Sequence, residues 1–596
     1  MKSLPHLREL MAKKIQRRRF MGALGALGFT YQPFLRPLPQ QSNEHLLIPK
    51  GFKATKLISW GDRLSDGQSL CFPISSAQEQ LGALGYNNDY LAFHPLTSDA
   101  NGRANSGLLS INHEYTNPSL MTPQAKKDSD PLLSDEQIKV DMAAVGHTVL
   151  EIRRVEGMWE VVWGSRYNRR LSALGPKMKL SGPAAGHPLM KTSADPSGTW
   201  VIGTFSNCAG GITPWGTTLI AEENINQGFY GRLEGQYADD HRLMGIGHLK
   251  TRHPWHKVDS RFNINQEPHE PNRFGWIVEL DPTDPNSVPI KRTALGRFKH
   301  ECASCTLSKD GRVVIYSGDD QEGEFLYRFV SKEKYLPKQK EHNQNLLDQG
   351  ILSVARFEED GTLIWQDLVF GQHGLSPEHG FNDQAEVLIH ARRAARIVGA
   401  TPLDRPEDVE ISPKTGKVYV MLTQNKSRTQ ASPGCERVPN LYGHILELSP
   451  NMDDHAQQKM TWTPLILGGP KSQGGTQKGN GWIKNPDNGA FDLHGRLWVT
   501  ADAHSSSKDS FGNGLWICPD EGPERGQAQR FCTVPNGAEP CGPCFTPDGR
   551  SLFVSIQHPA EGSTWHNPST RWPDFRSDIP PRPSIVVIER EDGEVI

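Results

Sequence analysis

The chain has 596 residues, with 65 Lys and Arg against 68 Asp and Glu, for a net charge of -3. Both signs are interspersed, which gives no electrostatic case for binding nucleic acid or an anionic membrane surface. A hydrophobic content of 36% beside 57 Gly and 44 Pro suits many tight turns better than long helices.

The first residues differ in composition from the rest. Arg17, Arg18, Arg19, Phe20 and Met21 follow Lys13 and Lys14, and the weakly apolar run GALGALGF comes next. Paired arginines ahead of a short apolar stretch predict a twin-arginine export signal over 1–40 and a periplasmic or secreted protein. The export machinery, which moves folded protein, is then a partner in transit. The stretch is too short to span a bilayer, which takes about 20 apolar residues. No other segment qualifies, so no membrane anchor is expected.

Six segments then repeat one pattern, in which a Gly- or Asn-type turn feeds a β-rich run that ends in polar groups. They read ANGRANSGLLSINHE (100–114), DPSGTWVIGTFSNC (195–208), KDGRVVIYSGDD (309–320), PKTGKVYVMLTQN (413–425), LHGRLWVTADA (493–503) and PDGRSLFVSIQH (547–558). Each reads as the second strand of a β-hairpin. A hairpin returns to the end where it began, so acids before its first strand share an edge with polar groups after its second. Asn87, Asn88 and Asp89 precede the first hairpin, and Asn112, His113 and Glu114 follow it. Gly186 and His187 precede the second, with Asn207 and Cys208 after it. His300 and Glu301 pair in this way with Asp319 and Asp320, and Glu407 and Asp408 with Thr423 to Asn425. Asp487 and Asn488 pair with Asp502, and Glu539 with Gln557 and His558.

Six sheets with their polar ends on one side predict an all-β fold: a six-bladed β-propeller with helical and loop insertions. It is expected to form one domain over 45–596, with its site at one mouth of the channel. The insertion 247–297 has room for a degenerate seventh hairpin. PSIVVIER (583–590) reads as the last strand and FKATKLISW (52–60) as the partner that closes the ring and removes exposed edges. The clearest helical stretch is Gln384 to Gly399, on which Arg392, Arg393 and Arg396 read as a solvated face.

Nine cysteines are present, an odd number for an exported protein. Cys302 with Cys305 and Cys541 with Cys544 form C-x-x-C pairs, but both fall on predicted strands. A three-residue offset there points the sulfurs to opposite faces, which disfavours zinc. Cys208 stands apart, inside the glycine-rich SNCAGGITPWGT, where backbone can approach a ligand closely.

NCAGGITPWGTTLIAEEN (207–224) resembles the NCA-x-G-x-TPWGT-x-L-x-x-EEN signature of the PhoX-type alkaline phosphatases. LGYNNDYLAFHPL (84–96), LLSINHEYT (108–116), SGPAAGHPLM (181–190), YSGDDQEGEFLYRFVS (316–331), DRPEDVEISPKTGKVYVMLTQN (404–425), PDNGAFDLHGRLWVTAD (486–502) and GPCFTPDGRSLFVSIQHP (542–559) are similar to that family in the same order. The resemblance covers roughly 45 to 596. It implies an exported six-bladed propeller that hydrolyses phosphate monoesters at a cluster of two Fe³⁺ and three Ca²⁺, with one cysteine ligand to iron.

That chemistry suits the residues. Ca²⁺ and Fe³⁺ both favour anionic oxygen, and carboxylates gathered without cations would repel one another. The expected metal ligands are Cys208, Glu114, Asn207, Glu222, Glu223, Glu301, Asp319, Asp320, Glu407, Asn488 and Glu539. Carry-over from the family is firmest for Cys208, Glu301 and Glu407. Arg405 is the expected phosphate clamp, since a guanidinium matches phosphate bidentately. Arg405, Glu301 and Glu407 are therefore the catalytic candidates, and Arg405, His187 and His558 the substrate-binding ones. Cys541 after Glu539, and Ser206 before Asn207, depart from the family's usual residues. No G-x-S-x-G or P-loop pattern occurs, against a serine hydrolase or a nucleotide-binding protein. A calcium-dependent lactonase-like propeller and a non-enzymatic metal-bearing propeller are the alternatives. The protein is expected to be a monomer acting on small phosphomonoesters.

Overall fold

The computed structural model describes residues 38, 43–128, 133–478, 482–503 and 512–596. The expected export signal lies outside the described residues, Leu38 excepted. No helix among the described residues is long and apolar enough to cross a membrane.

Six inner strands surround one axis: Asn88–Ser98, Asn207–Ile212, Ser304–Leu307, Pro406–Ile411, Pro486–Phe491 and Glu539–Phe545. Each packs on the next, and the sixth on the first, in a closed ring. Each also pairs antiparallel with the strand that follows it in sequence, so six inner hairpins exist. Six separate sheets do not. Hydrogen bonding groups the strands into sheets of four, six, nine, five and four. The third and fourth hairpins share the nine-stranded sheet, because outer strand Thr362–Asp367 pairs with Lys459–Leu467. Residues 247–297 hold no seventh inner hairpin: Ile277–Leu280 and Ile290–Arg292 extend the second sheet outward.

The second hairpin is not where the turn signal placed it. Trp200–Ile202 pairs with Lys177–Ser181, on the far side of its sheet. The chain then turns through Gly203 (φ 79°) and Ser206 (φ 52°) into an inner strand that opens at Asn207. Asn207 and Cys208 therefore begin a hairpin that ends at Glu222. Glycine makes this strand read as loop, yet packing demands it. A Cβ on Gly211 would lie 2.0 Å from the carbonyl oxygen of Ala303, the residue just before the neighbouring inner strand.

Both faces of the inner hairpins are covered. Val418–Leu422 and Ser551–Gln557 are buried along their whole length, as expected where sheets stack face to face. The stretch 384–399 is two helices, Gln384–Ile389 and Ala391–Ile397, which meet at His390 (φ -112°, ψ 41°). Arg392 is buried rather than solvated, because Asp319 accepts from its Nε at 2.8 Å and supplies the countercharge.

The ring closes between chain ends as the sequence predicts. Phe52–Ser59 pairs antiparallel with Ser584–Arg590, which in turn pairs with Ser551–Gln557. Ile585, Val586, Val587 and Ile588 are all buried. At about 1.5–3 kcal/mol for each such side chain, they rival a typical total stability of about 5–15 kcal/mol. Truncation after Asp578 should therefore abolish the cooperative thermal transition, read by circular dichroism. An unchanged melting curve would refute closure through this strand.

Candidate metal centre

The polar ends of the hairpins meet at one mouth of the ring, around a cavity of about 270 Å³. What turns backbone carboxyl-bearing positions inward is a repeated irregularity. Register shifts interrupt pairing between Asn88 and Leu91, between Pro406 and Val409, and between Pro486 and Gly489. Asp89, Glu407 and Asp487 lie in these bulges, which free them from the ladder and re-aim their side chains.

Ligand-type atoms at the mouth form four overlapping triads, each with its atoms within 4.8 Å of one another. Asp89, Glu114 and Cys208 make the first; Cys208, Glu223 and Glu301 the second; Glu301, Glu407 and Asp487 the third; Asp487, Glu539 and Cys541 the fourth. Neighbouring triads share Cys208, then Glu301, then Asp487. The result is a continuous arc of donors rather than isolated sites. Cys208 Sγ lies 3.3 Å from Glu301 Oε1 and 3.6 Å from Asp89 Oδ2. Asn112 holds the strand in place by donating from Nδ2 to the Cys208 and Ala209 carbonyls at 2.7 and 2.9 Å.

Burial and crowding strain these acids electrostatically. Burial lifts the Asp89 carboxyl to about 7. Burial and then the charge of Asp89 lift Glu114 to about 8. Glu223, Glu301, Asp487 and Glu539 also sit well above the ordinary carboxylate range, first from burial and then from the charges of neighbouring acids, Asp320 on Glu223, Glu407 on Glu301, Glu539 on Asp487 and Asp502 on Glu539. Burial likewise raises the Cys208 thiol, with Asp89 and Glu301 adding to it. Ten carboxylates but only two guanidiniums line the cavity, a surplus of eight negative charges when all are ionised. Asp89 Oδ1 and Glu223 Oε1 are buried with no hydrogen-bond partner among the described residues. Hard oxygens in excess, with donors missing and one central thiol, fit bound cations.

Arg405 sits among the acids in a left-handed conformation (φ 54°). Its Nε and one terminal nitrogen each donate to Asp320 at 2.8 Å, with Glu407 at 2.7 Å and Asp502 at 3.3 Å. Burial works to raise Asp320, but Arg405 outweighs it and holds that carboxyl below the usual range. His558 is also at the cavity; its Nδ1 lies 2.8 Å from the Gly537 carbonyl and its Nε2 3.3 Å from Glu539.

Five expected site residues stand elsewhere. Glu222 is sealed in a fully buried ion pair with Lys291 (2.6 Å) and accepts from the Gly275 and Trp276 amides. Asp319 is bound by Arg392 in the same manner. In both, a buried cationic side chain takes the role a metal would have. His187 accepts from the Leu189 amide and faces Asp383 at 3.3 Å, so it is not at the cavity; the hairpin it was expected to open does not form there. Asn207 donates to Thr204 Oγ1 at 2.8 Å behind the wall. Asn488 supports the arc from outside, 3.4 Å from Glu301 Oε1, with its Oδ1 accepting from the Gly542 amide. Conversely, Asp89, Asp487, Asp502 and Gln557 belong to the cavity, and their positions at the hairpin ends signalled it. Tyr115, beside Glu114 in the family-like segment 108–116, also lines it, with Arg252 and Glu561 from loops without a sequence signal. Cys541, placed on a strand and set aside as a zinc ligand, joins the fourth triad, and the bulge between Cys541 and Cys544 interrupts simple alternation there.

A ring of β-hairpins bearing a carboxylate and thiol arc at one mouth defines a propeller-like metalloprotein. The chain belongs to the alkaline phosphatase PhoX family, whose model matches residues 34–560. It is similar to Pseudomonas fluorescens PhoX in complex with vanadate, a transition state analogue, at 39% identity and a TM-score of 0.88, covering 94% of this chain and 99% of that one. Likeness to a Dyadobacter fermentans protein of unknown function is remote, at 9% identity and a TM-score of 0.32 over 91% of this chain and 100% of that one. No curated protein matches the chain.

Lys291→Met should cost about 3–5 kcal/mol of stability, because it leaves the buried Glu222 carboxylate without its countercharge, held only by neutral donors. Chemical denaturation measures it. A loss under 1 kcal/mol would mean that these neutral donors hold Glu222 without the countercharge.

Proposed function

We propose that the protein is a metal-dependent alkaline phosphatase that hydrolyses small phosphate monoesters at the mouth of the ring, after export by the twin-arginine route, as a monomer with one catalytic domain over 45–596. The observation that carries this is the arc of overlapping triads, in a chain that belongs to a phosphatase family. Vanadate in the Pseudomonas fluorescens relative stands for a phosphoryl group in transfer, which supports the same chemistry here. A site with eight surplus negative charges would repel a phosphate dianion by itself. Two Fe³⁺ and three Ca²⁺ would invert that field. Cys208, Asp89, Glu114, Glu223 and Glu301 include the soft thiol that suits iron, whereas Glu301, Glu407 and Asp487 form an all-oxygen triad that suits calcium. When bound, the metals supply positive charge for the phosphoryl oxygens and activate water.

The remaining work falls to the chain's own groups. Asp320, Glu407 and Asp502 fix Arg405 before any ester arrives, so its guanidinium plane is held at the cavity, where it can meet a phosphoryl group. With Nδ1 donating to Gly537, His558 keeps Nε2 for a proton shared with Glu539, which the pair can pass to a leaving oxygen. Burial of the acids keeps bulk water from screening these charges. A lactonase-like site would not require Cys208 at the junction of two triads.

Purified protein should contain iron near two and calcium near three equivalents, and should release phosphate from para-nitrophenyl phosphate at alkaline pH. Chelators should stop it, and free phosphate should inhibit. Full metal content without hydrolysis of any monoester would sink the reading. Cys208→Ser should retain the far-ultraviolet dichroism of the wild type but lose iron and any visible thiolate-to-iron band. A mutant that kept its colour would remove the thiol from the ligand set. Arg405→Ala should lower kcat/KM on the order of 100-fold, the scale of losing one oriented donor to transition-state charge.

A further inference from the structure

The cavity's two guanidiniums are in opposite conditions. Arg405 is engaged by three carboxylates of the cavity. Arg252 touches none of these. It lies on the insertion between the helix Gln236–Leu243 and the short turn Trp255–Lys257, outside the sheets. One terminal nitrogen donates to the Thr116 carbonyl at 3.1 Å and reaches Asp128 Oδ2 only at 3.4 Å. Its Nε is buried without a hydrogen-bond partner among the described residues.

The Arg252 guanidinium stacks 4.4 Å from the centre of the Tyr115 ring. Tyr115 is fixed in turn: its hydroxyl donates to Glu561 at 3.0 Å, and its ring stacks with that of His558 at 6.0 Å and 27°. Stacking uses the face of a guanidinium and leaves its in-plane N–H groups unspent. Arg252 is thus an oriented cation with donors in reserve on a cavity otherwise rich in acids. Unspent, oriented guanidinium donors match a second anionic group bidentately.

We propose that Arg252, held by Tyr115, is a specificity-determining residue that binds a carboxylate or second phosphate on the leaving portion of the ester. This rests on the phosphatase reading of the same cavity. The scissile phosphoryl group lies toward the arc and Arg405, and the leaving portion extends toward the wall of Tyr115, Arg252 and Glu561. Esters with an anionic leaving portion are then preferred over neutral ones of the same size.

The test compares phenyl phosphate with 3- and 4-carboxyphenyl phosphate, on metal-loaded wild type, Arg252→Gln and Arg252→Lys. Arg252→Gln should lose about 10-fold or more in kcat/KM for the better carboxylated ester, the scale of a charge-assisted hydrogen bond, and less than about 3-fold for phenyl phosphate. Arg252→Lys should restore part of the difference, and iron and calcium contents should equal those of wild type. Equal loss on all three esters would put Arg252 on the phosphoryl group or in a supporting role and overturn the proposal. So would no loss on any. A wild type that hydrolyses none of the esters would instead overturn the phosphatase reading, which keeps the two failures distinct.

Discussion

Everything at the mouth of this ring depends on carboxylates forced together out of water. Repulsion among Glu301, Glu407, Asp487 and their neighbours, with the cost of burying each charge, would expel them from any unsupported fold. Two kinds of support answer that cost. Away from the cavity, buried cationic side chains do so, as Lys291 does for Glu222 and Arg392 for Asp319. Along the arc such partners are scarce, and oxygens such as Asp89 Oδ1 and Glu223 Oε1 are left without donors. Glu222 and Asp319, each paired with a buried base, belong to the scaffold, whereas the acids of the arc, crowded mainly by other acids, fit bound cations.

The scaffold delivers these acids through the way its hairpins end. Regular pairing would alternate the side chains between two packed faces, burying a carboxylate against the next sheet. Bulges at Asp89, Glu407 and Asp487 break that alternation at the mouth, and five sheets converge on one axis to gather what the bulges release. Close approach at that axis has its own demands, seen where Gly211 lies against the Ala303 carbonyl. Closure between Phe52–Ser59 and Ser584–Arg590 then fixes the circumference on which the geometry rests.

Arg405 links the scaffold to the cavity. It satisfies part of the negative charge of Asp320, Glu407 and Asp502 while presenting a fixed planar donor at the cavity. Asp404, its neighbour in sequence, is itself neutralised by Arg428 and accepts from Asn440, so the backbone that carries Arg405 is anchored from behind.

The sequence by itself determined the hairpins whose turns and β-branched runs are local: five of the six inner hairpins, the closing strand pair and the edge that would hold the acids. It singled out Glu301 and Glu407 by their places at hairpin ends and Cys208 by its glycine-rich surroundings, a choice the family resemblance reinforced, and the structure places all three at the cavity. Only the tertiary structure decided which acids face the cavity, because Glu222 and Glu223 are adjacent in sequence and differ in whether Lys291 is near. It alone moved Cys208 from the end of a hairpin to its beginning, since Gly210 and Gly211 read as loop until a neighbouring strand shows why no side chain fits. It alone merged the third and fourth hairpins into one sheet, turned Arg392 inward, and brought Arg252 from a distant insertion onto Tyr115. Local pattern records backbone preference; partners far apart in the chain leave no such record, and burial and charge are settled by those partners.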